Sequence, residues 1–228
     1  MQSQDAATLW FLKLWPWLEA NAKRIAFAAA FVTIAVLAIS FYSYQQNKKE
    51  VDAGQAFTQA VIAPNSADPA DAYLKIATDY PGTRAGQRAL LESAAASFAA
   101  GKFSDAQTQF QKFLDAYPDN SFTAQASLGV AACLDAQGKT DMAASAYQKT
   151  VNESSDPSTL MAAEFALAQI DDRQGKFADA LSLYEDVAQK SPGGSIGSEA
   201  GLRSVELKNK LPATQAPAAP AGTFDLSH

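Results

Sequence analysis

The chain has 228 residues with 18 basic and 24 acidic side chains, one cysteine and one histidine. A net charge of −6 gives it no general attraction for nucleic acid, and one cysteine excludes an intrachain disulfide. The single histidine is the last residue, His228, so neither imidazole acid–base work nor a His-based metal site has the residues it needs.

The N-terminal stretch, residues 1–24, holds all three tryptophans, Trp10, Trp15 and Trp17, interleaved with Leu9, Phe11, Leu12 and Leu14. Amphipathic rings of this kind belong at the headgroup level, so the segment reads as an interfacial anchor bent at Pro16, with Lys13 meeting lipid phosphates. A docking patch for another membrane protein is the sharper alternative. Residues 25–44 then run twenty positions without a charge, and a helix of that length spans the ~30 Å hydrocarbon core. Nine of the twenty are Ile, Leu, Val or Phe, which makes insertion favourable by a few kcal/mol, roughly.

The flanks set a direction. Lys13, Lys23 and Arg24 precede the span, and the part after residue 50 has 13 basic and 21 acidic residues, so the positive-inside rule keeps the N-terminus in the cytoplasm. The remainder would then face the periplasm of a bacterium, or the equivalent exoplasmic side. A cleaved signal peptide is the competing reading, because Ala38-Ile39-Ser40 offers small residues at a suitable spacing.

Beyond the span, residues 51–61 and the trio Tyr73, Ile76 and Pro81 suggest a degenerate helix pair joined by a loop over 63–69. A clearer signal follows. Gly101-Lys102, Gly138-Lys139 and Gly175-Lys176 recur at 37 residues, and each Gly is followed by Ala at +5 and an aromatic at +9: Ala106 and Phe110, Ala143 and Tyr147, Ala180 and Tyr184. A fixed period of this size means stacked repeats. Each Gly supplies the turn between two helices, each Ala lets helices approach closely, and each aromatic fills the space beyond. Pro118 and Pro192 close two units twelve residues after the Ala, while the middle unit has Ser155 there and its proline at Pro157. Pro192-Gly193-Gly194 makes a turn before a last helix over 195–211, where Leu202, Val205 and Leu207 are available to cover the open end of the stack. The tail, 212–228, is rich in Pro and Ala and reads as disordered.

Ala, an aromatic at +4 and Pro at +12 resembles the tetratricopeptide (TPR) pattern. The resemblance implies an all-α protein: an N-terminal transmembrane helix, an α-solenoid of about four TPR-like helix pairs over 45–211, and a C-terminal capping helix. The period exceeds the ~34 residues of a standard TPR, and the Trp and Leu-Gly signals of its first helix are absent. The order of parts is similar to a more specific family. An aromatic N-terminal helix, the run Trp17-Leu18-Glu19-Ala20-Asn21-Ala22-Lys23, one span, an aromatic-polar exit at Tyr42 to Gln46, then Ala-rich repeats resembles the bacterial ancillary subunit of the Sec translocon. That resemblance implies an inner-membrane scaffold whose partners are translocon subunits, periplasmic chaperones or exported polypeptides. A periplasmic assembly factor for cell division or outer-membrane biogenesis is the alternative.

Catalysis finds no support. Cys133 lies among Ala131, Ala132 and Leu134 and reads as a buried structural thiol. Asp171-Asp172 and Glu185-Asp186 are adjacent pairs whose side chains diverge on a helix, and they read as solvated. No cofactor, metal or small-molecule substrate is expected. What remains is a binding surface. The TPR resemblance puts the first helix of each unit on the concave groove, which here implies Arg88, Leu91, Phe98, Gln125, Leu128, Asp135, Phe165, Gln169 and Arg173. A carboxylate clamp for chaperone tails needs Lys and Asn where this chain has Leu91, Leu128 and Phe165. An apolar groove suits an amphipathic or unfolded segment instead.

Overall fold

The computed structural model describes residues 15–62 and 68–211, and all regular structure among them is helical. The helices that lie wholly within the described residues are α1 (Ala22–Ile62), α2 (Pro69–Asp79), α3 (Arg84–Ala99), α4 (Phe103–Ala116), α5 (Thr123–Ala136), α6 (Thr140–Glu153), α7 (Pro157–Arg173), α8 (Phe177–Lys190) and α9 (Ser195–Lys210). Residues 15–20 are helical as well. The chain forms two compact units, residues 1–55 and 56–228.

The expected span and the first helix of the degenerate pair are not separate elements. Residues 45–50 are Gln, Gln, Asn, Lys, Lys and Glu, which contain no breaker, and α1 therefore runs on unbroken to Ile62. Trp15 and Trp17 are 54% and 60% exposed, whereas Trp10 lies outside the described residues.

The second unit is a stack of helix pairs, α3 with α4, α5 with α6 and α7 with α8, with α2 before them and α9 after. At its start Phe57 near the end of α1 meets the Tyr73 ring of α2 with centroids 5.7 Å apart. Local chemistry sets the helix starts. Asp68 accepts a hydrogen bond from the Ala70 N–H, with Pro69 at the first helical position, so Pro69 begins α2 rather than ending the loop before it. Pro157 likewise opens α7, capped by Asp156; it is not a displaced terminator of α6. Pro118 and Pro192 do follow helix ends, one residue past the C-caps Tyr117 and Ser191.

Three apolar clusters tie the pairs together, each drawing on one pair and the helix that follows. The first joins Leu90, Leu91, Ala94, Ala106, Phe110 and Phe113 to Ala126 and Cys133 of α5. Ala106, Ala143 and Ala180 are each 0% exposed, as close helix contact requires. Phe110, the first of the three aromatics, packs against Gly129, where an added Cβ would fall 2.6 Å from the ring. On the same stack α3 approaches α5, α5 approaches α7 and α7 approaches α9 directly, while no two second helices do so among the described residues. A stack whose first helices lie closer together curves with them on the inside.

Helix α9 closes the stack with a different face from the one its composition suggests. Ala200 and Leu207 are 0% and 1% exposed, but Leu202 and Val205 are 75% and 57% exposed. The inward stripe is Gly197, Ala200, Ser204 and Leu207, a 3-4-3 spacing that leaves Leu202 and Val205 on the opposite side.

Candidate protein-binding face

The repeated Gly-Lys pair is one piece of backbone geometry used three times. Gly101, Gly138 and Gly175 have φ of 75°, 73° and 77°, a left-handed conformation that favours glycine. The Gly N–H donates to the carbonyl of Phe98, Asp135 or Asp172, and the Lys N–H to that of Ser97, Leu134 or Asp171, the paired bonds of a Schellman helix end. The Lys carbonyl then accepts from Ala106, Ala143 or Ala180, so the same residue opens the next helix. Each first helix is thereby locked to its second helix, and its inner face is fixed in register.

Along that face the nine groove residues divide. Arg88, Gln125 and Arg173 are exposed, and Leu128, Asp135 and Gln169 are half-buried. Arg88 pairs with Glu92 at 3.5 Å and sits 5.9 Å from the Phe57 ring centre. Arg173 donates to Asp135 at 2.7 Å, so these two neutralise each other across adjacent first helices. The other three serve helix packing. Leu91 is 5% exposed within the core, Phe98 meets Phe103 edge-on at 5.2 Å, and Phe165 meets Tyr184 at 5.6 Å. The accessible part of the face is therefore polar with apolar side chains beneath.

Ionisable groups in the stack are structural. Burial pushes the Cys133 thiol up to about 11 and the Tyr147 and Tyr184 phenols up to about 12, which removes them from nucleophilic or acid–base work near neutrality. Asp171, expected in solvent, is 8% exposed and pairs with Lys176 at 3.4 Å. Glu164, which the sequence did not single out, is also buried and receives two bonds from Lys190 at 2.6 and 2.8 Å. Among the described residues no group of three or more His, Cys, Asp or Glu side chains is gathered for a metal.

A cleft of about 850 Å³ lies between α6 and α8 and includes Gln148, Lys149, Lys176 and Ser182. A similar one between α4 and the start of α6 includes Gln111, Lys112 and Lys139. Gln111 with Lys112 and Gln148 with Lys149 stand one period apart, so the 37-residue interval was the signal that could have found them.

The helix α1 is long and apolar enough to cross a membrane. Its large apolar side chains from Phe27 to Tyr44 are all more than half exposed, as a membrane span or a signal sequence requires.

Several solved structures resemble the chain, two of them as follows. "Crystal structure of MamA protein" shares 15% identity over 76% of this chain and 100% of that one, with a TM-score of 0.49. "Crystal Structure of a T3SS complex from Aeromonas hydrophila" shares 19% identity over 70% of this chain and 97% of that one, with a TM-score of 0.43. No curated protein sequence matches the chain. The tetratricopeptide repeat-like domain family matches residues 16–154, more than half of its length, and the chain belongs to that family.

Proposed function

We propose that the chain is a membrane-tethered TPR scaffold of the bacterial envelope that holds the Sec translocon together with periplasmic chaperones or exported polypeptides. The observation that carries the tether is the extent of the family match. Residues 16–154 take in the apolar helix α1 together with the helices up to α6, which supports reading the apolar helix and the repeats as parts of one family unit. The charge pattern supports an N-terminus in the cytoplasm and repeats in the periplasm. The order of parts that resembles the translocon's ancillary subunit supports the partner class.

Binding is assigned to the inner face of the first helices. Arg88, Gln125, Gln169 and the exposed part of Leu128 meet the partner, the Asp135–Arg173 pair bridges two units, and Leu91, Phe98 and Phe165 hold the helices that present them. Tethering raises the local concentration, so weak contacts on this face suffice. Co-purification from native membranes in mild detergent tests the reading: translocon subunits or periplasmic chaperones are expected with the full chain, and recovery of neither overturns the specific form. Mass spectrometry of the mature N-terminus tests the tether, since a new terminus near Phe41 would mean a cleaved signal and a released repeat domain.

A further inference from the structure

Helix α9 is the first helix of a further repeat, in register with the others. Gly86 in the first turn of α3 and Gly197 in the first turn of α9 stand three 37-residue periods apart. At both, an added Cβ would run into the backbone carbonyl at the end of the preceding helix, Tyr80 in one case and Ser191 in the other. Reading on from that anchor, Leu202 occupies the position of Leu91, Leu128 and Phe165, and Val205 that of Ala94, Ala131 and Ala168.

In the three complete units a second helix covers both positions. Leu91 lies in one cluster with Ala106 and Phe110, Leu128 packs on the cluster that contains Ala143 and Tyr147, and Phe165 packs on Tyr184. Ala94, Ala131 and Ala168 are each 0% exposed, against 57% for Val205 and 75% for Leu202. The exposed pair on α9 is thus the half of an interface that this fold builds three times, with no second helix over it among the described residues. The sequence that follows does not encode one: in the same register Pro217 stands where Ala106, Ala143 and Ala180 stand, and Pro220 three positions on, and a helix interior needs N–H donors there.

We propose that the Leu202–Val205 face of α9 is a second docking site that takes, in trans, an amphipathic helix of a partner protein bearing the pattern of this chain's own second helices: a small residue, an aromatic four positions later and an apolar residue three after that, as in Ala180, Tyr184 and Val187. The occupant follows from continuity with the three interfaces already present. The site is separate from the inner face, and its failure would leave that reading intact.

The probe is a labelled, end-capped peptide of residues 176–191, titrated by fluorescence anisotropy with the full chain in detergent micelles. Saturable binding is expected, weakened at least about tenfold by Leu202→Asp or Val205→Asp in the protein and by Tyr184→Ser in the peptide. Both protein positions are exposed, so the variants keep the circular dichroism spectrum of the parent. A chimera in which residues 212–228 are replaced by a copy of residues 175–191 fills the site in cis, and it is expected to lose peptide binding by at least about tenfold while gaining helix signal. No saturable binding, a Leu202→Asp variant within about twofold of the parent, or a chimera that still binds overturns the proposal. So does a variant ending at Leu211 that binds at least about tenfold tighter, which would make the tail the occupant. A dimer in sedimentation that Leu202→Asp dissociates would make it a second copy and overturns the proposal equally.

Discussion

Replacing Gly138 by alanine isolates the backbone geometry on which the repeat rests. At φ 73° a Cβ costs about 1–2 kcal/mol in the left-handed region, and nothing stands within 4 Å of it, so no steric clash adds to that figure. The smaller entropy of the unfolded alanine chain returns about 0.4–1 kcal/mol. The net loss is about 1 kcal/mol, and the same value applies to Gly101 and Gly175, whose φ angles are within a few degrees and whose surroundings are also open. Sites so far apart are additive, and the triple variant should lose about 3 kcal/mol. Gly193 is the control. It has open space around it and no positive φ, so its alanine variant should be neutral or more stable by up to about 1 kcal/mol. Guanidinium unfolding of the full chain in detergent, followed by circular dichroism, reads all five. A Gly193 variant as damaged as the Gly138 variant, or three unaffected turn variants, would refute the claim that left-handed backbone is what the glycines supply.

Three further outcomes are expected. Lys190→Ala strips both bonds from a buried carboxylate whose partner is itself 41% exposed, so it should cost about 2 kcal/mol in the same assay, and the added change Glu164→Gln should recover much of that loss. Asp68 is held below the ordinary carboxylate value of 3.8 by the Lys102 side chain and the Ala70 N–H, and Asp156 by the Thr159 hydroxyl and N–H. Their stabilisation is therefore complete above 3.8 and fades as pH falls through the lower folded values, and a titration of stability below pH 4 should flatten in the double variant Asp68→Asn, Asp156→Asn. Cys133 is 0% exposed and its thiol is pushed up to about 11, so a thiol reagent at pH 8 should label the chain only after unfolding; labelling of the native protein would contradict its place in the core.

What the sequence made legible was whatever depends on one residue and its near neighbours. The Gly-Lys turn, the buried Ala106, Ala143 and Ala180, the aromatics at +4 and the existence of a last helix all follow from local rules, and the structure has each of them. What it hid depends on which face meets which neighbour. Leu202, Val205 and Leu207 are equally apolar in the sequence, and only the packing of α8 against α9 selects Leu207. Asp171 was hidden for the same reason, since a carboxylate on a helix reads as solvated until a lysine from the following turn reaches over it. Leu91 belongs with these: an apolar side chain on a first helix does not reveal in the sequence that it packs, as here, into the cluster shared with Ala106 and Phe110 of the second helix.

The constant period has a physical origin that the helix boundaries expose. From Gly101 to Gly138, and again from Gly138 to Gly175, the second helix is 14 residues long. The connection then runs over residues 117–122 in the first case and 154–156 in the second, while the following first helix grows from 14 to 17 residues. Loop and helix trade three residues and the sum is unchanged. Each start is set by its own capping chemistry. Asp156 and Pro157 open α7 early, whereas in the longer connection Pro118 ends the preceding helix and the Asn120 side chain accepts from the Phe122 N–H, holding the chain in a turn until Thr123. The far end of each first helix has no such freedom, because the left-handed glycine must deliver the lysine carbonyl to the Ala N–H of the next helix for the pair to close. The joint is the same in each unit, and the interval stays at 37 because the loop and the first helix change by equal and opposite lengths. A partner-binding face built on first helices therefore keeps its spacing near the turn and changes its reach at the other end, which is where specificity in this stack has room to differ between units.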